Sequence, residues 1–439
     1  MESPAFIRRL FARGPVAGSK PDRHTRKTVA LCHALLSERG EASGAALARE
    51  ALQAYRMLSG PALGAFFDAL AQEFSPDSEA VEDAADAYRQ NASQANLIRL
   101  QHAVESPRQE LFRRLNLADG GTAALVEMRR RVLHDLRTQS HWAGIDADLF
   151  HLLGSWFNRG FLSLRRIDWR TPALVLEKLM QYEAVHEIQG WRDLRRRLES
   201  DRRCFAFFHA ALPDEPIIFI EVALTKGMSD QVQPLLDPDS PVVDAVGADT
   251  AIFYSITNCQ EGLRGISFGN FLIKQVAEDL GREFPRLKTF ATLSPVPGFR
   301  KWLADTAAAH AELAELVGTL AEEDWFQRAG PGTQVRTELM RLCAYYLKHA
   351  KHDKEPADAV ARFHLGNGAR MERLNWLADT SKTGMARSAG LMVNYAYRLK
   401  DVERNHEAYA KEHVVVASPG LSLLARGSLL ARVKAARKE

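Results

Sequence analysis

The chain has 439 residues, 46% hydrophobic and 26% charged, a balance that excludes disorder, collagen-like repeats and low-complexity tails and, at this length, predicts two or three domains. Its 58 basic and 55 acidic residues leave a formal net charge of +3, too small to attract nucleic acid by bulk electrostatics, so an anionic ligand must be held locally. No apolar run approaches the roughly 18 residues of a membrane span, and Cys32, Cys204, Cys259 and Cys343 are widely separated, without metal-type spacing, as in a reduced intracellular protein.

The first 27 residues carry Arg8, Arg9, Arg13, Lys20, Arg23, Arg26 and Lys27 against Glu2 and Asp22, a composition shared by an organellar transit peptide and a solvated basic arm. From Thr28 to Phe157 the Ala-, Leu-, Arg- and Glu-rich pattern predicts helix after helix. Ser75-Pro76-Asp77 supplies an N-cap, a first-turn proline and an acid; Ser106 with Gln109 has capping-box spacing ahead of the Leu111, Phe112, Leu115 stripe. An all-helical first domain over residues 1–157 follows, with no grouping of chemical side chains that suggests a site.

Beyond Arg203 the pattern changes. Cys204–Phe208 and Pro216–Leu224 are β-rich runs joined by Pro213-Asp214, which predicts a hairpin. A third strand over Ala251–Ile256 leads through a loop to a helix from Phe268 to Phe284, and a fourth spans Thr289–Leu293. Strand, loop, helix, strand is a crossover, so residues 158–439 should form a mixed α/β domain.

The loop Glu261–Asn270 contains three glycines and opens a helix. Glycine permits positive φ and close approach of a ligand, helix N-terminal amides suit a diphosphate, and Arg264 adds a fixed positive charge. The spacing is neither a Walker loop nor GxGxxG, and an ordinary glycine-rich turn would look the same. Next, Thr292-Leu293-Ser294-Pro295-Val296-Pro297-Gly298 holds the Ser294 hydroxyl at a strand end by two fixed prolines; a serine that only completes the turn is the alternative, and no GxSxG elbow surrounds it. In Phe363-His364-Leu365-Gly366-Asn367-Gly368 an imidazole lies among apolar neighbours, either a structural histidine or an acid–base group. Tyr395 and Tyr397 are core residues or a phenol for the same site. His349 and His352, crowded by Lys348, Lys351 and Lys354, read as a solvated basic helix end rather than metal ligands, so no metal is expected.

Three segments resemble the malonyl-CoA decarboxylase family: Gly262-Leu263-Arg264-Gly265-Ile266-Ser267-Phe268-Gly269-Asn270 running on to Lys274, Glu283–Leu287 with Thr292–Phe299, and Phe363–Ala369. Leu342-Cys343-Ala344, Asn375, Ala378-Asp379 and Asn394-Tyr395 extend the likeness, which runs from Asp168 to Ala417. The resemblance implies an α+β two-domain protein, with an N-terminal helical oligomerisation bundle and a C-terminal N-acetyltransferase-like domain that binds CoA. It implies decarboxylation of malonyl-CoA to acetyl-CoA and CO2 without a cofactor, with Ser294 and His364 as the catalytic pair and Tyr397 as a supporting phenol. It also implies that Arg264, Gly265, Ile266, Ser267, Phe268, Gly269 and Asn270 bind the CoA diphosphate and that Lys178 matches a position linked to activity.

Eukaryotic members carry an inter-subunit cysteine where this chain has Ala173, so redox-controlled assembly is not expected. The C-terminal Arg437-Lys438-Glu439 is not a peroxisomal address, and together with the composition it favours a bacterial cytoplasmic protein; the resemblance implies a homo-oligomer through the helical domain, and neither nucleic acid nor membrane is expected as a partner. An acyl-CoA N-acyltransferase and a non-catalytic acyl-CoA sensor are the competing functions.

Overall fold

The computed structural model describes residues 22–38, 40–266, 268, 272–310, 313–322, 324–330 and 333–436. The basic arm up to Lys20, the C-terminal Arg437-Lys438-Glu439, and Ser267, Gly269 and Asn270 of the glycine loop lie outside the described residues. The chain divides into two compact units. One comprises Met1–Leu162 with two later excursions, His209–Pro213 and Gln260–Phe268; the other comprises Ser163–Phe208, Asp214–Cys259 and Gly269–Glu439.

The first unit is helical, with α1 (Arg23–Ser37), α2 (Glu41–Arg56), α3 (Gly60–Glu73), α4 (Ser78–Gln90), α5 (Gln94–Val104), α6 (Pro107–Asn116), α7 (Gly121–Asp135) and α8 (Ala143–Trp156). Their apolar stripes converge on Phe66, Phe67, Phe112, Leu125, Met128 and Leu149, all at most 1% exposed. Two helix starts differ from the sequence expectation. The cap of α4 is Asp77, whose carboxylate takes the Glu79 and Ala80 amides, while Ser75 donates back to the Ala71 carbonyl at 2.6 Å. Ser106 does precede α6, but no capping box forms: its hydroxyl and the Gln109 amide both go to the buried Asp148 carboxylate, because Arg108 brings that anion in alongside them.

The second unit is built on one eight-stranded sheet among the described residues. It begins with β1 (Leu162–Ile167), α9 (Ala173–Tyr182) and α10 (Trp191–Arg197), followed by the hairpin of β2 (Arg202–His209) and β3 (Pro216–Thr225). β2 and β3 are buried along nearly their whole length, hence on both faces, which is why they read as unbroken apolar runs rather than as alternation. Then come β4 (Thr250–Asn258), the crossover helix α11 (Leu272–Glu283), β5 (Thr289–Thr292), the short β6 (Ser294–Pro295) and α12 (Phe299–Ala307). The remainder supplies α13 (Gln334–His349), α14 (Ala359–Gly366), β7 (Arg370–Asn375), β8 (Met392–Ala396), α15 (Val402–Glu412) and α16 (Pro419–Arg426). Strand order is β1-β2-β3-β4-β5-β8-β6, with β7 also on β8.

The chain is therefore α+β, a helical region followed by a mixed sheet with helices, as the composition shift after Arg203 indicates. One irregularity sets up the site. β4 and β5 run parallel only as far as the Phe253–Thr292 pair, although β4 continues to Asn258. After Leu293, whose amide still reaches the Phe253 carbonyl, the partner chain leaves to pair with β8. Among the described residues the far end of β4 thus has no strand partner on that side, near Ser294. Among the described residues no helix is long and apolar enough to cross a membrane.

Candidate active site

Ser294 opens β6, opposite Val393 of β8, with Pro295 and Pro297 restricting the backbone that leads away. The side chain is buried, and its hydroxyl donates to Thr292 Oγ1 at 2.8 Å. Thr292 lies two residues earlier and so faces the same way; it also accepts the Tyr395 amide at 3.1 Å. His364 sits in the last turn of α14 with Nε2 3.0 Å from Ser294 Oγ and Nδ1 2.8 Å from the Tyr397 hydroxyl. Tyr395 of β8, two residues before Tyr397, stacks on the imidazole at 4.4 Å between centroids.

These contacts fix the tautomer. Ser294 has one proton and gives it to Thr292, so the Ser294 oxygen accepts from His364 Nε2–H; Nδ1 is then the bare nitrogen that accepts the Tyr397 O–H. Burial sets the charge state: with His364 3% exposed, loss of hydration pulls its imidazole down to about 3, so it is neutral at physiological pH. The same loss pushes the Tyr397 and Tyr395 phenols well above their ordinary range. The result is an uncharged, directional chain of hydrogen bonds, Tyr397 to His364 to Ser294 to Thr292.

Ser294 and His364 line a cavity of about 230 Å³ with Val185, Phe253, Tyr254, Ile256, Asn258, Pro295, Ala359, Val360 and Phe363. Among the described residues its lining carries no formal charge. A volume below the roughly 300–1,000 Å³ of sites for drug-sized ligands suits a short acyl group.

Among the described residues, the other sequence candidates are not part of this cluster. The segment Gln260–Phe268, which holds the first part of the glycine loop, belongs to the helical unit, where buried Arg129 grips the Gly262 and Arg264 carbonyls at 2.7 and 2.9 Å. Gly265 has φ +83°, the conformation that glycine was expected to serve. Gly262 answers to packing instead of to a ligand, since a Cβ there would lie 2.0 Å from the Val126 carbonyl oxygen. Arg264 is exposed, whereas Ile266 and Phe268 are buried. Lys178, on α9, binds the Glu215 carboxylate at 2.6 Å and the Asp214 carbonyl at 3.2 Å, bracing the β2–β3 turn. His349 ends α13 and His352 is exposed.

Sequence reasoning did not single out Thr292 as a hydrogen-bond acceptor or Tyr395 as the ring against His364. The signal available was the two-residue spacing of Thr292 from Ser294 and of Tyr395 from Tyr397.

Fold and site together define an α+β protein with a helical N-terminal region and a mixed-sheet domain that buries a hydroxyl–imidazole–phenol chain beside a small uncharged cavity. The chain belongs to the malonyl-CoA decarboxylase family: the family model for the C-terminal domain matches residues 160–436 and that for the N-terminal domain matches residues 74–157. It is 36% identical over 396 residues to a mitochondrial malonyl-CoA decarboxylase of Anser anser anser, covering 81% of this chain and 79% of the relative. Solved structures of malonyl-CoA decarboxylases are also similar. That from Rhodopseudomonas palustris gives a TM-score of 0.86 at 49% identity, covering 90% of this chain and 98% of the other, and that from Agrobacterium vitis gives 0.84 at 49%, covering 91% and 99%.

Proposed function

We propose that this chain decarboxylates malonyl-CoA to acetyl-CoA and CO2, with Ser294, His364 and Tyr397 acting on the malonyl group. The observation that carries the reading is the uncharged Tyr397–His364–Ser294 chain opening onto the small cavity. Cleavage of the bond between Cα and the carboxylate releases CO2 and leaves the electron pair in a thioester enolate. The enzyme must favour that charge as it forms and then protonate Cα. The thioester carbonyl is itself the electron sink, so the chemistry calls for no metal or organic cofactor.

The residues suit both tasks. A carboxylate entering the cavity exchanges water for Val185, Phe253, Ile256, Pro295, Val360 and Phe363 without meeting a cationic side chain among the described residues, whereas CO2 loses little there. The enolate is a stronger base than imidazolate, so a neutral His364 can donate its Nε2 proton to Cα, directly or through Ser294, and the ring then regains a proton from water. As that proton leaves, the Tyr397 hydroxyl strengthens its hydrogen bond to Nδ1 and offsets the charge the ring acquires. The far edge of β4, near Ser294 and without a strand partner among the described residues, suits the thioester arm of CoA in an acetyltransferase-like domain. Arg264 and the loop that runs to Asn270 would hold the diphosphate, with copies assembling through the helical unit.

The test is to incubate the purified chain with malonyl-CoA and follow acetyl-CoA and CO2 together, with and without amine acceptors. Equal amounts of the two products support the reading. Acylated amine without CO2 would identify an acyltransferase, and tight binding without products a sensor.

A further inference from the structure

Ser294 and His364 lie 70 residues apart in the chain, so something must hold their segments in register to keep Oγ and Nε2 at 3.0 Å. Asp358 stands where those segments meet. It is the N-cap of α14, the helix that carries His364, and is 1% exposed. Its Oδ1 accepts the Ala361 amide at 2.9 Å. The same carboxylate lies against the backbone of Gly298, the residue that closes the proline turn leading away from Ser294, while Oδ2 accepts the Tyr346 hydroxyl of α13 at 3.5 Å. The fit on the turn side is tight, since a Cβ built on Gly298 would lie 2.3 Å from the Tyr346 oxygen and 3.8 Å from Asp358 Oδ2.

We propose that Asp358 is a positioning residue for decarboxylation: its buried carboxylate ties the Pro295–Gly298 turn to the first turn of α14 and thereby sets the distance between the Ser294 hydroxyl and the His364 imidazole. This rests on the reading of Ser294 and His364 as the catalytic pair. A helix cap alone would need one oxygen, and asparagine caps as well as aspartate. Here the second oxygen faces the Tyr346 hydroxyl and the Gly298 backbone, from other segments, and that half of the interaction is specific to a carboxylate.

The two roles separate in Asp358→Asn. The variant keeps an oxygen for the Ala361 amide but turns an NH2 group toward the Tyr346 hydroxyl and the Gly298 backbone, so the cap survives and the tie does not. A displacement of the pair by a fraction of an ångström to 1 Å lowers kcat by about 10- to 100-fold. We expect that loss in Asp358→Asn with the KM for malonyl-CoA within about twofold and thermal stability nearly unchanged. Gly298→Ala, which pushes the turn away from the same carboxylate, should give the same kcat-selective loss. The two together should lose little more than either alone, because they break one connection.

Asp358→Asn and Gly298→Ala at wild-type kcat, alongside an inactive His364→Ala, would overturn the positioning role and leave the catalytic pair intact. Wild-type kcat in His364→Ala as well would overturn the underlying reading. Parallel loss of stability and rise in KM in both variants, with kcat unchanged, would make Asp358 a structural cap only.

Discussion

In the helical unit a buried guanidinium, Arg108, meets a buried carboxylate, Asp148, whose oxygens also take the Ser106 hydroxyl and the Gln109 amide. In the sheet unit Ser294, His364 and Tyr397 are buried to a similar degree and carry no formal charge between them. The first arrangement pairs full charges and gives both carboxylate oxygens hydrogen-bond donors, which a buried ion pair needs to offset its lost hydration. The second avoids charge altogether and places Ser294 and His364 in the lining of a cavity. The difference teaches that burial alone does not mark a functional group. What distinguishes the relay is that its protons are aligned in one direction and that two of its members, Ser294 and His364, face a cavity.

That contrast can be broken most sharply at the relay itself. His364→Ala or Ser294→Ala should lower kcat for malonyl-CoA by roughly 10²- to 10⁴-fold while the melting temperature stays close to wild type; a destabilised variant with normal turnover would assign the relay to structure. The reverse is expected at the ion pair. Asp148→Ala strands Arg108 and should cost about 3–5 kcal/mol in chemical denaturation, with kcat per folded molecule unchanged.

Protonation gives a smaller, pH-dependent effect. His364 titrates at about 3 when folded and near 6.5 when unfolded, so between those values the unfolded chain binds the extra proton. Its contribution to stability is complete above about pH 6.5 and is lost as pH falls toward 3. Between pH 8 and pH 5 this amounts to about 2 kcal/mol, and His364→Gln should remove that part of the acid sensitivity. The smallest effect is expected at the exposed Arg264: Arg264→Ala should raise the KM for malonyl-CoA about tenfold and leave kcat within twofold, because a contact to a remote diphosphate is uniform binding. A kcat loss at constant KM would contradict that role.

The division into a helical region and a mixed sheet was legible because it is written locally, in caps, helix-favouring composition and apolar runs such as Pro216–Leu224. Ser294 and His364 stood out as candidates because two prolines and a glycine-bearing turn surround them, whereas Tyr397 was singled out by the family resemblance. Their convergence was not legible from spacing, since it depends on β8 pairing with both β5 and β6, a non-local register that places Val393 opposite Ser294 and Ala396 opposite Ala291. Thr292 and Asp358 were passed over for the same reason, as each matters only through a partner brought in by that topology. The capping box at Ser106 misled because Asp148, 42 residues later, offers its hydroxyl a better acceptor.

The most direct test of a neutral relay is the nitrogen NMR signature of His364, assigned by its disappearance in His364→Ala. The expected result is a single neutral tautomer, protonated at Nε2 and bare at Nδ1, unchanged from pH 8 to pH 5. An imidazolium at neutral pH, or a titration midpoint near 6.5, would contradict the account.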